Sequence, residues 1–182
     1  SKAQHQEILY LALGDSYTIG EGVAEEDRWP VILALQLGIA SPTLIAKTGW
    51  TTGELQEAIE KAQPHTNYDL VSLLIGVNNQ YRGYDVEVYK KEFAALLQQA
   101  ILFAGKDPSH VFVVSIPDYG VTPFAAEKYS QKISEEIDIY NRINQKIAME
   151  KGVQNYEITA IYRKAVQDPS LQAEEQLNPT GT

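Results

Sequence analysis

Leu9-Tyr10-Leu11-Ala12-Leu13-Gly14-Asp15-Ser16-Tyr17-Thr18-Ile19-Gly20 is an apolar run that breaks at a Gly-Asp-Ser turn. A short apolar run bounded by a turn reads as a buried strand, here over about Glu7 to Leu13. A polar residue at the carboxyl end of the first strand of an α/β sheet sits where such folds place their ligands. Ser16 therefore reads in two ways: as a nucleophile, or as part of a polar turn feeding a helix.

Outward from that turn, strand-like and helix-like segments alternate along the whole chain. That pattern belongs to a parallel sheet with helices on both faces. A helix is expected over about Trp29–Leu37, with Pro30 suited to its first turn, and a short strand over Thr43–Ala46. Thr51 and Glu54, three residues apart, spell a capping box for a helix reaching about Lys61. Leu70–Ile75 is nearly continuous in apolar residues, as a strand covered on both faces should be. Val86, Tyr89, Phe93, Leu96, Leu97 and Ala100 recur at helical spacing within Asp85–Phe103 and mark a buried stripe. Val111–Ile116 reads as a fourth strand. Ile133, Ile137, Tyr140, Ile143 and Ile147 form the stripe of a helix over about Ser130–Met149. A weak fifth strand falls near Gln154–Glu157, and a short helix near Ala160–Val166. The expectation is a single α/β domain over residues 1–182.

Composition narrows the function classes. The chain has 182 residues, with 44% hydrophobic and 21% charged residues, which is ordinary for a soluble globular protein. A net charge of −9 with no basic stripe speaks against nucleic-acid binding, because phosphate contacts need clustered Lys and Arg. No run of roughly 18 apolar residues exists, so no integral membrane segment is expected. The chain starts without Met, and its first residues lack the apolar core of a signal peptide, so the sequence leaves the compartment open. Absence of cysteine removes disulfides and thiolate chemistry, and the three histidines, His5, His65 and His110, have no ligand spacing. No metal and no cofactor is expected. Gly14, Gly20 and Gly22 do not form the glycine pattern of a nucleotide cradle, and no P-loop lysine follows.

In a parallel sheet the loops after the strands share one edge. Ser16 follows strand one, Lys47-Thr48-Gly49-Trp50 follows strand two, and Gly76-Val77-Asn78-Asn79 follows strand three. A hydroxyl, a glycine-bearing turn and a carboxamide thus meet at one rim. Acyl transfer from an ester needs a nucleophile and donors aimed at the developing oxyanion. Ser16 supplies the first; the Ser16 N–H, the Gly49 N–H and the Asn78 amide supply the second. Taken singly, Gly49 also reads as a turn glycine, and Asn78-Asn79 as a polar turn. Trp50, Tyr81 and Phe124 are candidates for an acyl pocket, and equally for aromatic packing around a loop.

Gly14-Asp15-Ser16-Tyr17, then Gly49, then Gly76-Val77-Asn78-Asn79, with Ser115-Ile116-Pro117 after strand four, resembles the SGNH hydrolase superfamily of GDSL-type esterases and lipases. The resemblance runs over nearly the whole chain in order and spacing. It implies a flavodoxin-like three-layer α/β/α sandwich around a five-stranded parallel sheet. It also implies a serine-dependent, cofactor-free hydrolase of carboxylic esters, acting on a small-molecule ester. Ser16 would be the nucleophile, with an oxyanion hole from its own N–H, Gly49 and Asn78.

The family's fourth block, Asp-x-x-His-Pro, has its counterpart in Glu175-Gln176-Leu177-Asn178-Pro179. Glu175 keeps a carboxylate, but Asn178 stands at the histidine position. A carboxamide has no nitrogen that titrates near neutral pH and cannot accept the serine proton. Family members usually continue into a closing helix, so the end at Thr182 gives the expectation that this helix is missing. Two functions stay open at this stage: an ester hydrolase, and a non-catalytic relative that binds acylated sugars or lipids.

Overall fold

The computed structural model describes residues 8–19, 28–121 and 127–167. Five strands build one all-parallel sheet in the order β2-β1-β3-β4-β5. They are β1 (Tyr10–Gly14), β2 (Thr43–Ala46), β3 (Leu70–Leu74), β4 (Val111–Val114) and β5 (Gln154–Tyr156). The helices are α1 (Ser16–Ile19), α2 (Trp29–Leu37), α3 (Thr52–Ala62), α4 (Val77–Tyr81), α5 (Val86–Phe103), α6 (Glu127–Glu150) and α7 (Thr159–Gln167). Short 3₁₀ turns at Pro108–His110 and Tyr119–Val121 flank β4. The expected three-layer sandwich with five parallel strands is therefore the observed one, with most boundaries within one or two residues.

Side-chain alternation divides β1 between the two faces of the sheet. Leu11 and Leu13 join Val71, Leu73 and Val113 in the larger cluster, against Leu55 of α3, Phe93 and Leu97 of α5, and Ile137 of α6. Tyr10 and Ala12 point the other way, to Ala34 of α2. Tyr89, Phe93 and Tyr140 form an aromatic knot under the larger face, with Tyr89 and Tyr140 centroids 4.5 Å apart. Rings at such distances stabilise beyond their area burial.

The helical stripes hold with one exception. Tyr89, Phe93, Leu96, Leu97 and Ala100 are buried, but Val86 is exposed. Val86 is the first residue of α5, one turn ahead of Tyr89, at the solvent-exposed start of the helix. Asp85 caps this helix, accepting the Glu87 N–H at 2.8 Å. The capping box of α3 forms with both bonds: Glu54 N–H to Thr51 Oγ1, and Thr51 N–H to Glu54 Oε1.

A buried polar network ties α6 to the end of β4. Asn141 accepts the Ile116 N–H at 2.7 Å and donates to the Ile116 carbonyl at 3.0 Å and to Thr159 Oγ1 at 2.9 Å. Thr159 donates to the same carbonyl at 2.7 Å, and the Ser115 hydroxyl accepts the Ile158 N–H at 2.8 Å. Where β4 leaves the sheet ladder, side chains thus take over its backbone groups.

Candidate active site

The rim is set by register. Gly14, the last residue of β1, lies opposite Ala46 of β2 and Leu74 of β3. Ser16, Gly49 and Asn78 come two, three and four residues past these level strand ends.

Ser16 begins α1, a single helical turn. Asp15 builds that turn: its carbonyl accepts the Thr18 and Ile19 N–H groups at 3.1 and 3.0 Å, and its Oδ1 accepts the Tyr17 N–H at 3.0 Å. The turn folds Thr18 back over Gly14 so closely that a Cβ there would lie 2.0 Å from Thr18 Oγ1 and 2.7 Å from the Leu74 carbonyl. Only glycine fits. Asp15 is fully buried, and its Oδ2 and Thr18 Oγ1 have no hydrogen-bond partner among the described residues. Burial pushes the Asp15 carboxyl up to about 7, against the smaller opposing pull of the Tyr17 N–H bond. Ser16 itself is partly exposed. Its N–H, at the head of a helical turn, has no acceptor within that turn.

Gly49 is the third residue of a turn from Lys47 to Trp50, closed by the Trp50 N–H on the Lys47 carbonyl at 3.3 Å. Its φ of +86° is the type II value, which a side chain resists. The Gly49 N–H takes no partner among the described residues, whereas its carbonyl accepts Arg82 Nη2 at 2.7 Å. The next carbonyl, that of Trp50, accepts Asn78 Nδ2 at 3.0 Å. One Nδ2 hydrogen of Asn78 is used there, leaving the second free.

Asn78 and Asn79 divide their work. Asn79 is fully buried, accepts the Thr52 N–H at 3.0 Å and donates to Thr52 Oγ1 at 2.8 Å. Thr52 Oγ1 in turn donates to Glu92 Oε1 of α5 at 2.7 Å. Asn78 and Arg82, four apart on α4 and its cap, both reach the Gly49 turn. The double role of this segment was not read from the sequence. Neither was α4 itself, expected only as a turn. The spacing of Asn78 and Arg82 at i and i+4 was the available signal.

Beyond β4, Asp118 is fully buried and anchors the loop. Its Oδ1 accepts the Gly120 N–H at 2.8 Å, and its Oδ2 accepts Arg163 Nε at 2.8 Å and the Ser134 hydroxyl. Tyr119 donates to Gln80 and meets Tyr81 edge-on at 6.1 Å. Of the expected acyl-pocket aromatics, Trp50 is partly buried against the main core, and Tyr81 is 73% exposed at the rim. Phe124 lies outside the described residues, as do Glu175, Asn178 and His5.

His65 and His110 precede β3 and β4, at the opposite edge from Ser16. His65 stacks on Tyr68 at 4.1 Å, and His110 faces Asp107 at 3.6 Å. Among the described residues no group of three or more His, Cys, Asp or Glu could hold a metal ion, and no helix is long and apolar enough to cross a membrane.

A doubly wound parallel sandwich with a serine, a glycine turn and an asparagine on one rim falls in the SGNH class of α/β folds. The sequence model of the GDSL-like Lipase/Acylhydrolase family matches residues 12–181, and the chain belongs to that family. By that resemblance it is an ester hydrolase. No curated protein matches the chain. Among solved structures it is similar to phospholipase A1 from Streptomyces albidoflavus NA297, at 21% identity and a TM-score of 0.68, covering 85% of this chain and 80% of that one. It is similar to an extracellular lipase from Streptomyces rimosus at 20% identity and a TM-score of 0.63, covering 83% and 80%. It is also similar to AlinE4, an SGNH-hydrolase family esterase, at 20% identity and a TM-score of 0.66, covering 96% and 93%. At these identities the structural likeness speaks for the fold.

Proposed function

We propose that the chain is built as a hydrolase of small carboxylic esters with Ser16 as nucleophile, its turnover held low by Asn178 at the position of the base. The Ser16 Oγ attacks the acyl carbon while its proton passes to water at the partly exposed rim, slowly because Asn178 supplies no base, and negative charge gathers on the carbonyl oxygen. The Ser16 N–H, the Gly49 N–H and the free Asn78 Nδ2 hydrogen receive that charge. Collapse expels the alcohol, which takes up a proton from water, and a second water then attacks acyl-Ser16 to release the acid and return a proton to the Ser16 oxygen. The observation that carries this reading is the Gly49 turn. Both carbonyls around it are tied back to α4, while its N–H is left for a ligand at the rim shared with Ser16. Losing one such donor costs about 2.7–4 kcal/mol of transition-state stabilisation. No cofactor enters these steps.

Glu175 and Asn178 occupy the block that carries the base in this family, and Asn178 cannot take the Ser16 proton. That substitution favours a second reading, a non-catalytic relative that binds acylated sugars or lipids. Turnover of p-nitrophenyl acetate by the chain, by Ser16→Ala and by Asn178→His separates the two. The hydrolase reading expects Asn178→His to exceed the chain by a large factor, since losing the histidine of a serine triad costs about 10⁶ in turnover. An Asn178→His chain no faster than Ser16→Ala sinks it. Calorimetric binding of an acylated sugar by the chain without turnover supports the second reading.

A further inference from the structure

We propose that Arg82 is a positioning residue for the oxyanion donors, an inference that rests on the Ser16 hydrolase reading above. Its guanidinium is held on one side by Glu54, Nη1 to Oε1 at 3.1 Å, and spends Nη2 on the Gly49 carbonyl at 2.7 Å. Glu54 is itself fixed, since its Oε1 also accepts the Thr51 N–H at 3.1 Å within the capping box of α3. Asn78, one turn earlier on α4, holds the Trp50 carbonyl at 3.0 Å. Consecutive carbonyls of the Gly49 turn are therefore gripped from one helical turn. That turn also carries the second donor, Asn78. The Gly49 N–H and the Asn78 amide become a single rigid unit.

The rest of the surroundings leaves Gly49 to Arg82. A Cβ built on Gly49 would meet one neighbour within 4 Å, Arg82 Nη2 at 3.9 Å. The turn's own closing bond is long, 3.3 Å from the Trp50 N–H to the Lys47 carbonyl. The guanidinium thus joins the Glu54 carboxylate to the Gly49 carbonyl, and through that bond it acts on the loop. As a bare surface ion pair, its side chains 39% and 41% exposed, Arg82–Glu54 would matter little. Its consequence falls on geometry, where small displacements of a catalytic group cost rate.

The test compares the chain, Arg82→Ala and Arg82→Lys, each also carrying Asn178→His. Three readings are taken: the melting temperature, kcat and KM on p-nitrophenyl acetate, and heteronuclear NMR of the Gly49 amide. Arg82→Ala should keep its fold and its KM, lose about tenfold or more in kcat, and show a loosened, shifted Gly49 amide. Millimolar guanidinium should restore part of kcat, and Arg82→Lys should fall between, because an ammonium cannot fork to both partners. An unchanged Gly49 amide in Arg82→Ala overturns the proposal whatever the activity. So does an unchanged kcat. If Asn178→His is itself no faster than Ser16→Ala, the hydrolase reading has failed, and the NMR comparison alone then decides whether Arg82 holds Gly49.

Discussion

Asp15→Asn should stabilise the folded chain at neutral and alkaline pH and leave it unchanged in acid. Asp15 is wholly buried, with one oxygen on the Tyr17 N–H and the other without a partner. Burial raises its carboxyl from 3.8 to about 7. In the unfolded chain the group ionises near the lower value, so between these two pH values the folded state holds a proton that the unfolded state has released. Stability therefore falls as pH rises through the window from about 4 to 7, and is flat on either side. Each unit is worth 1.36 kcal/mol, so the full penalty at pH 8 is about 4 kcal/mol. Asparagine cannot ionise, and its Oδ1 still accepts the Tyr17 N–H. Urea denaturation of both proteins at steps from pH 4 to pH 8 reads the difference directly. Every other titrating group is common to both and cancels. The variant's advantage should grow from near zero to about 4 kcal/mol. A difference constant to within about 1 kcal/mol over this range would refute the linkage between burial and the charge of Asp15.

Two further substitutions probe the scaffold of the rim. Asn79→Ala removes the acceptor of the buried Thr52 N–H and should cost about 2 kcal/mol in chemical denaturation, the penalty of an orphaned backbone donor. Asn141→Ala strips the Ile116 N–H of its partner and loosens Thr159, so its melting temperature should drop by an amount equivalent to about 3 kcal/mol; Asn141→Asp should recover little, because it restores the acceptor but sets a second carboxylate oxygen against the Ile116 carbonyl where the amide donated.

The strands and long helices were legible because their periods are strong. The apolar run of β1 alternates between two cores, as Leu11 and Leu13 against Tyr10 and Ala12, and the α6 stripe recurs on one face. The Thr51–Glu54 box is local chemistry, and it forms as read. α4 was not legible, because Asn-Asn-Gln-Tyr has no apolar stripe and asparagine favours turns over helices. Tertiary hydrogen bonds from Asn78 and Asn79 to the neighbouring loop make that segment helical instead. The order of Ser16, Gly49 and Asn78 along three strand ends could be read from sequence, since a parallel sheet puts those loops on one edge. What held them there could not. Arg82 looks like any surface cation until Gly49 and Glu54 are placed on either side of it. Asp15 likewise looks like a polar neighbour of Ser16, and only packing shows that it is buried.

The most direct measurement is covalent trapping. The chain and its Asn178→His variant are treated with a fluorophosphonate, and the modified residue is located by peptide mass mapping. Ser16 as the nucleophile predicts one adduct on Ser16, formed faster in Asn178→His and absent in Ser16→Ala. An adduct on another residue, or none in Asn178→His, would contradict it.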